Sequence, residues 1–311
     1  MTFISIAMYN WFPRSYCIIE QLSRSMEERA YGKTGEKFSI LSFGAQRVVD
    51  SHGCSEQDAL EIMNYALDHG VRYFDTAWIY SEGQSEERVG KVALHRRKEM
   101  WIATKAWARD QRGARRQLEE SLRRLQTDYV DEWRMHNVWS IGELDKITAP
   151  GGALEAAVQA RSRGLVKYIS ISGHSNPRVQ IEAIERFSFD SVLCATSVLD
   201  HFILSFVEEL LPVTRAKGVA VAGMKIMGLG RLAQIYDKAL RYAFSLPIDT
   251  AVVGMESMEQ LQNNLAVAEA YQPLSDGERL ELFKEVLPQI TPEFVPWKAE
   301  DWDDPVEWKK R

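Results

Sequence analysis

The sequence predicts an α/β fold in which eight strand and helix units close into a (β/α)8 TIM barrel. Apolar or β-branched runs alternate with helical patterns from Lys37 to Ala268. Several helical patterns stop at a glycine just before the next strand, as in His69-Gly70 and Lys217-Gly218, where a left-handed residue commonly ends a helix. Strands that alternate with helices pair in parallel through right-handed crossovers, and eight such units close naturally into a barrel.

The predicted elements follow one another without a low-complexity linker, so we expect a single barrel domain. Strands are predicted at Phe38–Phe43, Val71–Phe74, Met100–Thr104, Tyr129–Met135, Tyr168–Ile171, Ser191–Ala195, Val219–Met224 and Thr250–Val253. Helices are predicted between and after them, at Glu56–His69, Ser85–Leu94, Arg112–Leu125, Ala153–Arg163, Asn176–Phe187, Phe206–Lys217, Leu232–Leu246 and Met258–Ala268.

Both ends of the chain extend beyond this series. Residues 1–25 lack the basic segment, apolar core and cleavage site of a signal peptide, and Met26 opens a segment typical of a domain start. We therefore expect 1–25 to be an extension, disordered or upstream of the true start, with an arm packed on the barrel as the alternative. The barrel domain is expected over 26–311. It includes a tail from about residue 287, rich in tryptophan, that either covers the barrel mouth or packs along the outer helices.

Composition narrows the class of partner. The 311 residues are 45% hydrophobic and 26% charged, with a net charge of -6, which gives no basic surface for nucleic acid or an anionic membrane. No apolar run approaches membrane-spanning length. Cys17, Cys54 and Cys194 are far apart and show no metal-ligand spacing, so neither a disulfide framework nor a metal site is expected. We expect a cytoplasmic protein with a small-molecule partner; the sequence indicates no oligomeric state.

The candidate catalytic residues lie where predicted strands end. Asp75 ends the second strand, Lys105 the third and His136 the fourth, and Tyr80 lies in the loop after Asp75, before a polar helix start at Ser85. In a (β/α)8 barrel the carboxyl ends of the strands face the same mouth, where chemistry is placed.

These four residue types suit carbonyl chemistry. Burial disfavours a charged lysine, and the adjacent Asp75 restores the charge of Lys105. A lysine ammonium beside a phenol hydroxyl lowers the phenol's pKa from about 10 towards neutral pH, which suits Tyr80 to give a proton to a carbonyl oxygen. His136 can donate a hydrogen bond to that oxygen.

Together these residues resemble those of the aldo-keto reductase family. The resemblance runs from about Tyr31 to Ala268 and is carried by YGKTG, the FDTA-to-SEE stretch, Lys105, His136 and the late GMES…QLQNNL segment. It implies a barrel that binds a nicotinamide cofactor without a Rossmann domain and transfers hydride to an aldehyde or ketone. Within it, Tyr80 corresponds to the general acid, Asp75 and Lys105 to its tuning pair, and His136 to the carbonyl-orienting donor.

The resemblance also implies a set of cofactor contacts, with departures from the family pattern. Ser172 matches a residue that holds the nicotinamide carboxamide, whereas Gly173 replaces an expected asparagine, for which His174 or Asn176 could substitute. Met224-Lys225 replaces the common Tyr-Ser. The pyrophosphate and adenosine end of the cofactor is assigned to two segments, the glycine-rich turn after the seventh strand and the start of the last helix. These segments contain Gly228, Gly230, Gly254, Ser257, Gln260 and Asn264.

Cofactor type and substrate are less defined. The resemblance favours NADP(H), although Glu256 would repel the 2′-phosphate if it pointed inward, and NAD(H) stays as the alternative. Trp78 and Trp107 are expected to form walls of an apolar substrate pocket. Two other classes stay open: a cofactor-binding regulatory subunit with slow turnover, and an unrelated barrel lyase or hydrolase that uses Asp75, Lys105 and His136 without nicotinamide.

Overall fold

The computed structural model describes residues 25–291 and 293–299 and contains a closed barrel of eight parallel strands. The predicted fold class is therefore confirmed. Strands β3 to β10 follow one another around the barrel, and β10 pairs with β3 to close it. Their bounds are β3 Leu41–Gly44, β4 Tyr73–Asp75, β5 Trp101–Ala106, β6 Val130–Met135, β7 Val166–Gly173, β8 Ser191–Ala195, β9 Ala220–Met224 and β10 Thr250–Gly254.

A short antiparallel hairpin precedes the barrel, and it corrects the first predicted strand. The run Phe38–Phe43 is divided between β2, Lys37–Ser39, which pairs with β1, Glu28–Ala30, and barrel strand β3. The Ser39 hydroxyl donates to the Leu41 carbonyl (2.7 Å), a local bond of the kind that competes with strand pairing, and the chain bends between the two strands. Phe38 thereby enters the barrel interior with Tyr31.

Helices surround the barrel as predicted, with two additions and one shortened helix. The helices are α1 Glu56–Asp68, α2 Gln84–Arg96, α3 Gln111–Leu125, α4 Ile141–Thr148, α5 Ala153–Ser162, α6 Pro177–Arg186, α7 Phe206–Lys217, α8 Tyr236–Phe244, α9 Met258–Glu269 and α10 Asp276–Val286. The additions are α4 and α10. Helix α8 begins four residues later than predicted, because Gly228–Gly230 and Ala233–Ile235 form short 3-10 turns ahead of it.

Two apolar clusters hold the barrel together. The larger one fills the layer between the strands and the surrounding helices. The smaller one is largely aromatic and fills the barrel interior around Tyr31, Phe38, Tyr73 and Trp101. In the part of the chain that the structure describes, the barrel interior is therefore a packed core, and the cavity described below lies near the carboxyl ends of the strands.

The described part of the tail packs onto loops at the carboxyl ends of β8 and β9. Trp297 is buried and its Nε1 donates to Asp200 Oδ1 (2.7 Å), while Arg231 donates to the Glu293 carbonyl (3.3 Å). Trp302 and Trp308, like the predicted extension up to residue 24, lie outside the described residues. Within residues 25–291 and 293–299, no helix has the length and apolar character needed to cross a membrane.

Candidate active site

Asp75, Lys105 and His136 come together because their strands end side by side. Strand register pairs Asp75 with Ala103 and Lys105 with Arg134, which puts these side chains on the interior face at the mouth. Lys105 Nζ donates to Asp75 Oδ2 (2.6 Å) and to the Thr76 carbonyl (2.7 Å). Both side chains are almost fully buried, so the ion pair is shielded from solvent.

Tyr80 meets this pair from the loop after β4. Lys105 Nζ lies 3.2 Å from the Tyr80 hydroxyl, and the Tyr80 ring packs edge-on against His136 with ring centroids 5.6 Å apart. Tyr80 is 7% exposed and lines a cavity at the mouth, so its hydroxyl lies beside space that a ligand can reach.

A strained turn fixes the position of Tyr80. Ser81 and Glu82, the two residues that follow it, both have left-handed backbone conformations, which are unfavourable for residues other than glycine. The turn leads directly into α2. The helix starts at Gln84, one residue before the predicted start at Ser85, and the Ser85 hydroxyl donates to the Ala45 carbonyl (2.8 Å) and so ties the turn to the end of β3.

Burial dominates the electrostatics of Lys105. Removal from water lowers the pKa of the Lys105 ammonium to about 8; Asp75 opposes this shift, while the charges of Arg134 and Lys225 add to it. The lysine thus changes charge in a pH range in which the protein can be assayed. The predicted tuning pair has the geometry expected of it.

A cavity of about 620 Å³ extends from Tyr80 along the ends of β9, β10 and β3. Six of the ten predicted cofactor residues line it: Met224, Lys225, Gly230, Gly254, Gln260 and Asn264. Its apolar surface comes from Val252 and Val253 among others, and Arg47 and Glu256 form an ion pair (3.4 Å) in its wall. A long ligand with a flat apolar part and an anionic part fits this combination of lining groups.

The other four predicted cofactor residues do not line the cavity. The Ser172 hydroxyl accepts a hydrogen bond from the backbone amide of Asn137 (2.9 Å), and a side chain at Gly173 would collide with Gln180. A side chain at Gly228 would meet Leu199, and Ser257 caps α9 by accepting from the Gln260 amide (3.2 Å). These contacts support the loops around the cavity, and a cofactor role for the four residues stays a prediction.

Sequence reasoning missed several residues of the cavity and its surroundings. Gln46 and Arg47 follow β3, and the general rule that sites lie after barrel strands would have identified them. Tyr236 enters from the start of α8. His174, named only as a substitute, lines the cavity, and its Nδ1 lies 3.1 Å from Asn137 Oδ1.

The two tryptophans expected to form the substrate pocket have different positions. Trp107 packs edge-on against His136 (5.4 Å between ring centroids) and stacks on Trp139 (6.2 Å), which sequence reasoning did not identify. Trp78 is turned to α3, where its Nε1 donates to Glu120 (2.7 Å) and Arg124 lies over its ring. Charged residues on α3 thus hold the indole of Trp78, which does not line the cavity, and its place in a substrate pocket stays a prediction.

Comparisons with known proteins place the barrel region of the chain in one family. The family model described as Aldo/keto reductase family matches residues 41–240. The chain is 26% identical to L-galactose dehydrogenase of Arabidopsis thaliana over 89% of this chain and 97% of that protein. It is 37% identical to methylglyoxal reductase DkgA of Salmonella typhimurium over 38% of this chain and 41% of that protein.

A solved structure shows the same overall arrangement. The holo form of the aldo-keto reductase AKR11C1 from Bacillus halodurans is 25% identical, with a TM-score of 0.70 over 83% of this chain and 96% of that one. The family model covers well over half of this chain, and its span includes all four candidate catalytic residues. The chain therefore belongs to the aldo/keto reductase family of NAD(P)H-dependent oxidoreductases.

Proposed function

We propose that this protein reduces an aldehyde or ketone to the alcohol, or catalyses the reverse reaction, with Tyr80 as general acid. The observation that carries the proposal is the contact between Lys105 Nζ and the Tyr80 hydroxyl (3.2 Å) at the edge of a cavity. A bound nicotinamide supplies hydride to the carbonyl carbon. The protein's part is to deliver a proton to the carbonyl oxygen and to stabilise the group that has lost it.

Each of the four residues has a role in that proton transfer. Tyr80 gives its hydroxyl proton to the oxygen and becomes a phenolate, which the neighbouring Lys105 ammonium stabilises. Asp75 keeps Lys105 charged and fixes its position through the 2.6 Å bond. His136, which packs against the Tyr80 ring, donates a hydrogen bond to the same oxygen and aligns the carbonyl.

For the cofactor we propose NADP(H), with NAD(H) as the alternative. The cavity lining fits a nicotinamide dinucleotide: Met224, Val252 and Val253 offer apolar contacts near Tyr80, and Gly230 and Gly254 allow close approach of backbone amides to phosphates. Arg47 supplies a cation at the far end, and its pairing with Glu256 (3.4 Å) is what keeps NAD(H) as the alternative.

The substrate is proposed to be a small carbonyl compound with an apolar group. Trp107 lies against His136 and stacks on Trp139, so an aromatic wall borders the position of the carbonyl. Arg109 lies over both rings, with its guanidinium carbon 5.2 and 5.4 Å from their centroids, and pairs with Glu143 (2.5 Å). This support keeps the wall rigid.

The test combines a substrate panel with one substitution. NADPH and NADH oxidation is followed by near-ultraviolet absorbance with aldehydes, ketones and quinones, and cofactor binding by quenching of tryptophan fluorescence. We expect Tyr80→Phe to lower the turnover number on the order of a hundredfold or more with little change in cofactor affinity, because only the transferable proton is removed.

Tyr236→Phe is the matched control, because Tyr236 lines the same cavity and the substitution removes the same group, a phenol hydroxyl. Wild-type rates in Tyr80→Phe would remove the general-acid assignment. Tight cofactor binding without turnover of any carbonyl by the wild type would favour the regulatory-subunit reading instead.

A further inference from the structure

A buried ion pair lies inside the barrel, beneath the candidate catalytic residues. Glu132 and Arg134 are alternate residues of β6, so both side chains point to the interior, and both are fully buried. Arg134 Nη2 donates to Glu132 Oε1 (2.8 Å). Burying two charges is costly, and a pair at this depth is retained only with extensive hydrogen bonding.

Glu132 has that hydrogen bonding and is thereby fixed in place. Its carboxylate accepts from the hydroxyls of Tyr31 (3.1 Å) and Tyr73 (3.0 Å), from Trp101 Nε1 (3.3 Å) and from the Ser191 hydroxyl. Burial acts to raise the pKa of Glu132, but Arg134 and these hydroxyl donors bring it below its usual value. Glu132 is therefore an ionised anchor for Arg134.

Arg134 extends from this anchor to the candidate catalytic site. Its Nη2 contacts Glu132 and the Tyr73 hydroxyl, and its Nη1 donates to Asp75 Oδ1. The other oxygen of Asp75, Oδ2, accepts from Lys105 Nζ (2.6 Å). A continuous series of contacts thus leads from the barrel core to Lys105 and, over a further 3.2 Å, to the Tyr80 hydroxyl.

We propose that Arg134 is a positioning residue for carbonyl reduction: anchored by Glu132, it holds Asp75 Oδ1 and thereby directs Asp75 Oδ2 to Lys105. The proposal rests on the proposed function of Tyr80 and Lys105. Arg134 contacts neither Tyr80 nor the cavity, so it acts through Asp75. A planar guanidinium suits this task because it binds two carboxylates at once through separate nitrogens.

The arrangement also divides the charge of Asp75 between two cations. The charged and titratable groups near Lys105 are Asp75 on β4, Tyr80 on the following loop, Arg134 and Glu132 on β6, His136 after β6, and Lys225 after β9. Arg134 shares Asp75 with Lys105, and its charge adds to the lowering of the Lys105 pKa more than that of Lys225 does. Removal of Arg134 should therefore make Lys105 keep its proton to higher pH.

The experiment compares the pH dependence of aldehyde reduction in the wild type and in Glu132→Gln/Arg134→Met. Glutamine keeps the acceptor oxygen that Tyr31 and Tyr73 use, and methionine occupies the volume of the arginine stem, so no unpaired charge stays buried. We expect the alkaline limb of the turnover number to move upward, because the charge of Arg134 acts on the Lys105 pKa more strongly than that of Glu132. We also expect the turnover number to fall roughly tenfold with little change in KM.

A second measurement does not depend on turnover. The pH midpoint of Lys105, followed by the NMR chemical shift of 13C-labelled lysine side chains with Lys105→Met to assign the signal, reports its proton without access of a reagent and should shift in the same direction. If the wild type reduces no carbonyl compound, the proposed function fails, while the NMR midpoint still tests Arg134. An unchanged midpoint together with an unchanged alkaline limb would overturn the proposal.

Two further variants separate positioning from structural support. Arg97→Met removes a partner of Asp131 (2.8 Å) outside the barrel interior and should lower stability without moving the alkaline limb. Arg134→Lys keeps a charge beside Glu132, but one ammonium group cannot bridge both carboxylates as the guanidinium does. If the double variant does not fold, Arg134→Lys should still lower the turnover number, and wild-type turnover in this variant would contradict the proposal.

Discussion

Glu256 shows how one side chain in the cavity wall can influence cofactor choice. Its Oε2 lies 3.4 Å from Arg47 Nε, and both side chains are about one-third exposed. We expect Glu256→Gln to tighten NADPH binding about fivefold and to leave NADH binding nearly unchanged, because a negative charge that repels a 2′-phosphate is removed and Arg47 is released. Dissociation constants from fluorescence titration at two salt concentrations measure this effect.

Glu259→Gln is the matched control for that change. Glu259 lies three residues further along, exposed in the first turn of α9, and does not line the cavity, so the same loss of charge there should leave both affinities unchanged. Equal tightening of NADPH and NADH in Glu256→Gln would show that Glu256 does not face the 2′-position. High salt should reduce the difference between the variants.

At the scale of single residues, the sequence predicted the positions of side chains at the carboxyl ends of strands, but not those of side chains held by partners distant in sequence. Asp75, Lys105 and His136 could be predicted because a strand end fixes both height and direction of a side chain. The positions of Trp78 and Arg134 could not, since they depend on partners distant in sequence: Glu120 on α3 for Trp78, and Glu132 and Asp75 for Arg134.

At the scale of elements, the close approach of α2 and α3 supports the turn that carries Tyr80. A side chain at Gly90 of α2 would lie 2.2 Å from the Arg124 carbonyl of α3. We expect Gly90→Ala to lower the free energy of unfolding by about 1–3 kcal/mol, because the two backbones must separate. Urea titration measures the stability, and the aldehyde reductase assay shows whether the turn after Tyr80 is displaced with α2.

Gly277→Ala is the matched control for Gly90→Ala, because it adds the same side chain to a helix at a position with free space. Gly277 lies in the first turn of α10 and has no neighbour within 4 Å of an added side chain. Alanine there should raise the free energy of unfolding by about 0.5–1 kcal/mol through its helix propensity. If Gly90→Ala were as stable as the wild type, the close packing of α2 on α3 would not contribute as described.

Elements with a regular apolar period could be predicted, whereas elements defined by local bonds could not. The barrel strands and eight of the surrounding helices follow from alternating patterns. The division of Phe38–Phe43 into β2 and β3 depends on a serine bond and on Phe38 entering the interior. Helices α4 and α10 lie outside the regular alternation of one helix after each strand; in α10 a capping box at Ser275 and Glu278 was the local signal available.

At the scale of the whole molecule, the two ends of the barrel have different tasks. The hairpin end is filled by aromatic rings, and Phe38 lies edge-on to Tyr31, Tyr73 and Trp101 with centroids 5.0–5.2 Å apart. The opposite end holds the cavity, the strained turn after Tyr80 and the buried Lys105. The sequence predicted which end of the barrel holds the candidate site. It did not predict the aromatic filling of the opposite end, because Phe38 was assigned to a barrel strand.

If the aromatic end of the barrel serves stability and the opposite end serves activity, substitutions at the two ends should have different effects. Phe38→Ala should lower the free energy of unfolding by about 3–5 kcal/mol, because it leaves a cavity among rings that cannot collapse into it. The folded fraction of this variant should keep its turnover number, since Phe38 and the rings around it lie at the end of the barrel opposite Tyr80. Chemical denaturation gives the stability, and initial rates at low temperature, corrected for the folded fraction, give the turnover number. Lys105→Met is the counterpart: it should abolish reduction at a smaller cost in stability, because it removes a charge whose burial is unfavourable while Asp75 keeps its contact with Arg134. Parallel loss of stability and activity in both variants would mean that the two ends of the barrel are not independent.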